Sequence, residues 1–242
     1  AYLGVLNYAE QRREWGGSFS SLGDFRFLGM LRGSPQDDSK NKYAFIDSEL
    51  NWVKDFIELP RQQMWQTGEG RWSAIPYVSV AGVAIFPDSR LLSYHPYLGR
   101  VTVYSPQGDP VLHIERDWEI LAITVEEKAR TLQRYRESPS EEMRALADRL
   151  PIPAARAAFS RAVIDGRGRI WILQSKPIYE EDEVVGYLYD IFLSDGSWIG
   201  TQRMDFAPYE FQGDYIYRTF SADSGAPRVE RLRLIPLRDD MK

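Results

Sequence analysis

The sequence predicts an all-β fold, specifically a β-propeller of four-stranded antiparallel blades with a helical insertion between two blades. Residues 77–115 and 157–204 each show the same order of four strand-like runs separated by turns. Equivalent turn positions in the two segments, Ser89 and Gly168, are 79 residues apart, and removing a 37-residue insertion leaves 42, about the length of one blade. The 242 residues are 43% hydrophobic and 13% aromatic, which is enough for one large core. We therefore expect a single propeller-like domain over residues 1–242.

Turn chemistry marks the ends of the predicted strands in both segments. Aspartate or glutamine followed by glycine supplies the positive φ angles that tight hairpins require between twisted strands. The runs between the turns alternate apolar and polar residues, as half-buried strands do. The predicted turns lie at residues 87–89, 95–99 and 107–108 in the first segment, and at 165–168, 176–186 and 195–196 in the second.

Residues 117–153 interrupt the repeat and are predicted to form a helical hairpin. The segment is rich in helix-forming residues, and a proline separates its two helical halves. Thr124 and Glu127 fit a capping box at the start of the first helix, and Ser140 provides half of one before Met143. The insertion either covers the edge of a blade or docks a partner, and the sequence leaves both possibilities open.

Three other segments show weaker copies of the same unit. Residues 42–60 are predicted to form the outer strand pair of a blade, and residues 3–15 carry a similar pattern. Residues 213–237 add two further alternating strands. The 205 residues outside the insertion fit about five blades, so the blade number is open.

One pattern of the second segment is typical of a known group of propellers. A hydrophobic strand is followed by DGRG at 165–168 and RIWIL at 169–173, and then by YDIF at 189–192 and DGSW at 195–198. The run GRVTVY at 99–104 follows the same pattern. These motifs resemble those of bacterial six-bladed β-propellers of the NHL and TolB-like type. The resemblance implies a fold, and a fold does not fix a function.

Composition and charge exclude several classes of partner and site. The formal net charge of −5, from 30 basic and 35 acidic residues, gives no broad positive field for a phosphate backbone, so no nucleic acid partner is expected. No stretch approaches the ~20 apolar residues of a membrane-spanning helix, so we expect no transmembrane segment in this chain. The absence of cysteine excludes disulfides and thiolate chemistry. The start at Ala1 and the resemblance together lead us to expect an extracytoplasmic location, periplasmic or secreted.

No set of catalytic residues is recognisable in the sequence. Some propellers of similar shape are calcium-dependent lactonases or phosphotriesterases, but the predicted inner strands, residues 78–85 and 157–163, carry no carboxylate or amide ligand for the ion. The acidic run 180–183 is expected to be a solvated loop, and Asp165 and Asp195 are expected to form turns. No Gly-x-Ser-x-Gly elbow is present. We therefore predict no enzyme, no cofactor, and no catalytic or metal-binding residue.

Aromatic and basic side chains outside the regular repeat are the candidates for binding a partner. Two tryptophans lie in the glycine-rich segment MWQTGEGRW beside two arginines, and exposed aromatic residues are typical hot spots of protein interfaces. A histidine lies among aromatics in a predicted connection between strands, while His113 is expected on an outer strand. The other tryptophans fall mostly at strand positions and are expected in the core. The predicted partner-binding residues are Arg61, Trp65, Arg71, Trp72, His95 and Tyr97.

The function predicted from these features is a non-catalytic, extracytoplasmic interaction or scaffold module. Its expected partners are other protein subunits, and we expect it to be an extrinsic subunit of a larger membrane-associated complex, such as a respiratory or photosynthetic assembly. Two alternatives stay open. One is a metal-dependent lactonase or hydrolase acting in the propeller channel, which calcium would stabilise against heat. The other is a small-ligand or sugar-binding sensor.

Overall fold

The predicted all-β class is confirmed by a computed structural model of the chain. Strands hold 50% of the residues and helices 13%, and the strands form several antiparallel sheets. The structure describes residues 19–22, 27–32, 40–49, 51–68, 71–180, 183–206, 208, 210–212, 214–221 and 226–234.

The first half of the described chain contains two four-stranded sheets and a hairpin between them. In both sheets, consecutive strands pair antiparallel in chain order. The first sheet consists of β1 (Phe19–Ser21), β2 (Phe27–Arg32), β3 (Lys40–Ile46) and β4 (Trp52–Pro60). The hairpin consists of β5 (Met64–Gly68) and β6 (Arg71–Ala74), and the second sheet of β7 (Gly82–Ile85), β8 (Leu91–His95), β9 (Arg100–Tyr104) and β10 (Pro110–Ile114).

The predicted helical hairpin lies between the second and third sheets. Helix α1 spans Val125–Arg136 and helix α2 spans Glu141–Leu146, followed by a single turn of 3₁₀ helix at Ala147–Arg149. Thr124 and Glu127 form the predicted capping box of α1, and the Ser140 hydroxyl accepts a hydrogen bond from the Met143 N–H at the start of α2. Both cap predictions are therefore confirmed. Within the described ranges, no helix has the length and apolarity needed to cross a membrane.

The second half of the described chain contains the third and fourth sheets. In the third sheet β12 and β15 flank β14, and β13 pairs with the first residues of β14. The third sheet consists of β11 (Phe159–Ile164), β12 (Ile170–Gln174), β13 (Ile178–Glu180), β14 (Glu183–Phe192) and β15 (Trp198–Met204). The fourth consists of β16 (Glu210–Gln212), β17 (Tyr215–Ser221) and β18 (Pro227–Arg233).

Several predicted elements differ from the structure. The first inner strand was expected from residue 78, but β7 begins at Gly82 because residues 75–78 form a turn in which Tyr77 has a φ of +64°. The predicted turn at 176–186 contains a strand, β13, because Ile178 and Tyr179 pair with β14. The strand pairs predicted at 42–60 and 213–237 are confirmed as β3–β4 and β17–β18. Residues 3–15 lie outside the described residues.

The tight turns of the described sheets share one geometry. The N–H of the first residue donates to the carbonyl of the fifth, and the N–H of the fourth donates to the carbonyl of the first. Ser89 and Gly168, the positions taken as equivalent in the sequence, are both the fourth residue of such a turn, with φ of +68° and +75°. Turns 86–90, 105–109, 165–169 and 193–197 follow this pattern, and turn 47–51 shares its first hydrogen bond.

Consecutive sheets pack face to face through apolar side chains. Buried residues of the second and third sheets form the largest cluster, with Leu92 and Val101 on one side and Phe159 and Ile172 on the other. A second cluster, which includes Phe45, joins the first and second sheets. A third cluster joins the third and fourth sheets around Trp171. Its other members are Leu173, Tyr189, Val163, Tyr187, Ile191, Met204, Phe211 and Leu234. Each sheet therefore contacts the next one in chain order.

The tight turns of neighbouring sheets meet at one end of the molecule. We call this end the turn end. It is defined by residues 47–51, 86–90, 105–109, 165–169 and 193–197. Side chains of these turns and their flanks bridge neighbouring sheets. These bonds run from the Ser89 hydroxyl to the carbonyl of Leu22, from Lys54 to the carbonyl of Gln107, from Arg90 to the carbonyl of Ser194, and from Arg167 to the Asp214 carboxylate. The sheets are therefore stacked with their turns in the same direction.

Two tryptophans expected in the core are exposed. Trp171 and Trp118 pack in or against the buried clusters, as expected. Trp52 is 41% exposed and Trp198 is 53% exposed, so the core prediction is wrong for these two. Both begin the last strand of a four-strand meander, and that edge position leaves part of the ring in contact with solvent. The Trp198 ring is covered on one face by the Arg116 guanidinium at 4.6 Å.

A buried carboxylate, Asp190, ties the third sheet to the segment that enters the helical hairpin. Asp190 is 0% exposed, and its oxygens accept hydrogen bonds from the Trp118 indole at 3.1 Å and the Thr201 hydroxyl at 2.6 Å. The Gln174 amide also donates to it, and the Arg116 guanidinium lies 2.8 Å away. Asp190 therefore holds strands β12, β14 and β15 and residues 116–118 together.

Replacing Asp190 by alanine is expected to lower the free energy of unfolding by about 3 kcal/mol, because the donors left behind lose a charged acceptor. Chemical denaturation measures this loss. The matched control is Asp195→Ala, since Asp195 is exposed and accepts one turn hydrogen bond from the Ser197 N–H. A loss for Asp190→Ala no larger than that of the control would show that Asp190 does not have this role.

Candidate interaction face

The long connections of the described sheets lie at the end opposite the tight turns. In an antiparallel four-strand meander, the first and third connections lie at one end, whereas the second connection and the link to the next sheet lie at the other. We call this second end the loop end and define it by the described parts of residues 61–81, 96–99, 115–158 and 175–182. It carries the hairpin β5–β6 and both helices.

The residues predicted to bind a partner all lie on the loop end or at its border. Trp65 lies in β5, and Arg61 lies between β4 and β5. Arg71 and Trp72 lie in β6, but their side chains are outside the described part of the structure. His95 is the last residue of β8, and Tyr97 lies in the single 3₁₀ turn Pro96–Leu98 that follows. The structure therefore brings the six predicted positions to one end of the sheets.

Trp65 is not the exposed loop side chain that the sequence predicts. Met64 pairs with Ala74 and Trp65 with Ser73, so the segment is a two-stranded hairpin. The Trp65 ring is half-buried, and its indole Nε1 is buried without a hydrogen-bond partner in the described structure. The prediction of an exposed loop side chain is wrong because the residues before and after the glycines pair as β5 and β6, and Trp65 lies on a half-buried face of that hairpin.

The connection between β8 and β9 projects apolar side chains into solvent from a fixed base. Pro96 is buried, and its carbonyl accepts a hydrogen bond from the Ala158 N–H. Tyr97 is 41% exposed and Leu98 is 61% exposed. Gly99 ends the turn with a φ of +59°, in the left-handed region that favours glycine. The turn is therefore held at its root while its tip stays accessible.

His95 is a partly buried side chain at the base of this turn. Burial lowers the pKa of His95 below its ordinary value, and the nearby Arg100 charge lowers it further. Its Nδ1 atom is buried without a described hydrogen-bond partner. His113 lies on the outer strand β10 as predicted, and its Nδ1 atom is 3.0 Å from the Thr102 hydroxyl. The two histidines therefore occupy different sites.

A buried ion pair fixes helix α1 to the loop end. Glu127 and Arg156 are 8% and 4% exposed, and their side chains meet at 2.8 Å. The Tyr77 ring covers the Arg156 guanidinium at 4.3 Å, and the Tyr77 hydroxyl donates to the Glu127 carbonyl. Arg156 also donates to the carbonyl of Ser175. The helical insertion is therefore docked against two other connections of this end.

The loop end presents large apolar side chains from several separate elements. Besides the tip of the β8–β9 turn, these come from hairpin β5–β6, from the segment before α1 and from the first residue of α1. They are Met64, Tyr97, Leu98, Ile120 and Val125, with exposures between 39% and 77%. The remaining exposed large apolar residues of the described structure lie on strands and at the turn end: Trp52, Val53, Val111, Leu193, Trp198, Ile199, Phe220 and Val229.

The buried carboxylates of the described sheets serve the framework. Asp165 accepts hydrogen bonds from the N–H groups of Arg167 and Arg169, which confirms it as a turn former. It also binds the Arg169 side chain at 2.6 Å and the Trp171 indole at 2.9 Å. Asp195 accepts from the N–H of Ser197 and is likewise confirmed as a turn former. Among the described residues, no three His, Asp or Glu side chains are grouped closely enough to hold a metal ion.

Sequence reasoning missed the two charge networks that hold the loop end. Arg116 and Asp190 are 74 residues apart, and Glu127 and Arg156 are 29 apart. Glu127 carried a local signal, the capping box, but nothing in the sequence connects it to Arg156.

No protein-family model and no curated protein matches the sequence. The resemblance to NHL and TolB-like propellers therefore stays a prediction.

The pH dependence of stability is expected to depend on Glu127. Burial raises the pKa of Glu127, but the Thr124 N–H and the Arg156 side chain outweigh it, so the pKa lies below its ordinary value of 4.5. A carboxyl group with a lowered folded-state pKa stabilises the fold fully above its ordinary pKa, and this contribution is lost as the pH falls through the lowered pKa. Glu127→Gln is therefore expected to lower the free energy of unfolding by about 3 kcal/mol at pH 7 and by less below pH 4.5.

Denaturation of both proteins from pH 3 to pH 7 measures the difference. The control is Glu126→Gln, which removes an exposed charge from the same helical turn. The role of Glu127 would be contradicted if both variants lost the same free energy of unfolding, or if the loss for Glu127→Gln did not change with pH.

Proposed function

We propose that the four sheets are consecutive blades of a β-propeller. Three features support the proposal. The second sheet is a four-stranded antiparallel meander, and β11, β12, β14 and β15 of the third repeat that order. The first strands of these sheets, β7 and β11, contact each other. Those first strands are also more buried than the last strands β10 and β15, as expected if the first strands line an axis and the last face solvent.

We also propose that the chain is a non-catalytic interaction module whose partners are other protein subunits. The observation that carries this proposal is the asymmetry between the two ends. The turn end consists of minimal turns, whereas the loop end carries a hairpin, a docked helical insertion and exposed apolar side chains on separate elements. Protein interfaces commonly use such irregular connections on a rigid scaffold.

The ion pair of Glu127 and Arg156 favours a pre-formed interface. Because Arg156 ties α1 to the connections at Tyr77 and Ser175, these parts of the loop end are held together before binding, and this reduces the conformational entropy that is lost when a partner binds. The buried Asp165 and Asp190 side chains already accept several hydrogen bonds each, which supports a structural role over general acid or base catalysis. The proposal includes an extracytoplasmic location and a role as an extrinsic subunit of a membrane-associated complex.

Leu98→Asp is expected to weaken partner binding at least ten-fold, because a charged side chain would be placed in the apolar part of the loop end. The protein is gently purified from its native source, and the subunits that elute with it are identified by mass spectrometry. Binding of the isolated variants to that complex is then measured. The matched control is Val111→Asp on the outer strand β10, since the two residues are 61% and 56% exposed.

We expect Val111→Asp to bind like the unaltered protein. If Val111→Asp binds more weakly and Leu98→Asp binds normally, the interface lies on the outer strands and not on the loop end. Recovery of the native protein only as an isolated monomer would contradict the interaction function itself. Circular dichroism of both variants controls for folding.

A further inference from the structure

The segment that enters helix α1 is paired with another connection of the loop end. We call residues 119–124 the edge segment. Ala122 of this segment forms an isolated antiparallel bridge with Ala155. The two neighbours of Ala122 make the hydrogen bonds of this bridge, because the N–H of Ile123 donates and the carbonyl of Leu121 accepts. The edge segment is therefore held along one of its two sides.

The other side of the edge segment carries the main-chain groups of Ala122. Successive residues of a strand direct these groups to opposite sides, so the N–H and the carbonyl of Ala122 face away from Ala155. No backbone hydrogen bond to either group is formed by the described residues, and Ala122 is exposed. Residues 119–124 include no proline, so each of them keeps its N–H donor. This side is therefore an open strand edge, to which another strand can be added.

Side chains of the edge segment alternate between the interior and the solvent, as those of a strand do. Ile123 is 5% exposed, and Leu121 is partly buried. By contrast, Ile120 is 61% exposed, and Ala122 and Thr124 are exposed as well. Side chains of an added strand would therefore lie beside an accessible row that contains a large apolar residue.

The apolar tip of the β8–β9 turn lies close to the edge segment. Carbonyl groups of the turn and of the edge segment both accept hydrogen bonds from N–H groups of residues 156–158. A Cβ atom at Gly99 would lie 3.8 Å from the ring of Trp118, which directly precedes the edge segment. Leu98, at the tip of the turn, is 61% exposed. A strand added to the edge segment would therefore find a second apolar contact at Leu98.

Acidic side chains flank the edge segment on its N-terminal side. Glu115, Asp117 and Glu119 are exposed. Arg116 lies among them in the chain, but its guanidinium is 2.8 Å from the buried Asp190 carboxylate and balances that charge. The flank therefore carries net negative charge, and a basic segment of a partner complements it better than an acidic one.

We propose that the loop end binds its partner by strand addition, a step that rests on the interaction function proposed above. The added strand is an extended, basic segment of the partner subunit with apolar residues at alternate positions. The main-chain groups of Ala122 pair with this strand, and Ile120 and Leu98 contact its apolar side chains. The proposal thus names the form of the partner, which is an extended strand.

Amide hydrogen exchange of the whole chain, followed by NMR, tests whether the edge is open. In the free chain, the Ala122 amide is expected to exchange at least ten-fold faster than the hydrogen-bonded amides of Ile123 and Arg156, after correction for intrinsic rates. An Ala122 amide as protected as these two would overturn the proposal.

The binding probe is a fluorescent peptide of six residues, alternately lysine and valine, and fluorescence anisotropy measures its affinity for the whole chain. We expect it to bind and to slow exchange of the Ala122 amide at least ten-fold. A glutamate–valine peptide is expected to bind at least ten-fold more weakly, although Arg100 offers it an exposed base at the same end. A lysine–valine peptide with methylated main-chain nitrogens is expected not to bind, because it cannot pair.

Three results with these peptides would overturn the proposal. They are the absence of binding by the lysine–valine peptide, equal affinities for the lysine and glutamate peptides or for the methylated peptide, and binding that leaves exchange of the Ala122 amide unchanged.

A pair of variants at one position tests the main-chain contact. Ala122→Pro removes the N–H that faces the added strand, and it removes no backbone hydrogen bond of the described structure. We expect it to weaken peptide binding about ten-fold, which corresponds to one lost hydrogen bond. The matched control is Ala122→Val, which adds similar volume but keeps the donor, and its affinity is expected to be unchanged. Equal affinities of the two variants would overturn the pairing at Ala122.

Binding of the same variants to the co-purified partner complex separates strand addition from the interaction function. We expect Ala122→Pro and Leu98→Asp to bind the complex more weakly than Ala122→Val. If Leu98→Asp loses binding while Ala122→Pro binds as tightly as Ala122→Val, strand addition is wrong and the interaction function stands. If the native protein is recovered only as a monomer, the interaction function fails, and the peptide and exchange measurements still decide whether the edge accepts a strand.

Discussion

The structure depends on the face-to-face packing of consecutive sheets with their tight turns at the same end. Apolar clusters join each sheet to the next, and the contact of Arg90 with Ser194 sets the second and third sheets in the same orientation. Once the turns share one end, the even-numbered connections and the links between sheets must share the other. The positions of hairpin β5–β6 and helix α1 therefore follow from the packing of the sheets.

Buried carboxylates hold this framework together. Asp190 and Glu127 are buried acceptors whose donors come from separate parts of the chain. Asp165 is a buried acceptor whose donors come from its own turn and from the start of β12. Removal of one partner from such a network is costly, because the buried groups left behind lose their hydrogen bonds. The framework thus accounts for these three carboxylates.

Local signals in the sequence predicted the local parts of the fold. Ser89 and Gly168 mark equivalent turns because turn geometry depends on only five residues, and the capping box at Thr124 depends on four. Features that depend on distant residues were missed. Trp65 is half-buried because its hairpin pairs with itself, Trp198 is exposed because its strand is an edge, and the partners of Asp190 and Glu127 come from other parts of the chain.

The common orientation of the sheets can be measured directly, because the chain has no cysteine and accepts spin labels at chosen sites. Cysteines at positions 88 and 195 place labels on turns of the second and third sheets, and a cysteine at position 98 places one at the loop end. The strand between positions 88 and 98 contributes five residues, roughly 17 Å, to the separation of the two ends. The account predicts that double electron–electron resonance finds 88–195 clearly shorter than both 88–98 and 98–195. A 98–195 distance as short as that of 88–195 would show that neighbouring sheets are not stacked in the same direction.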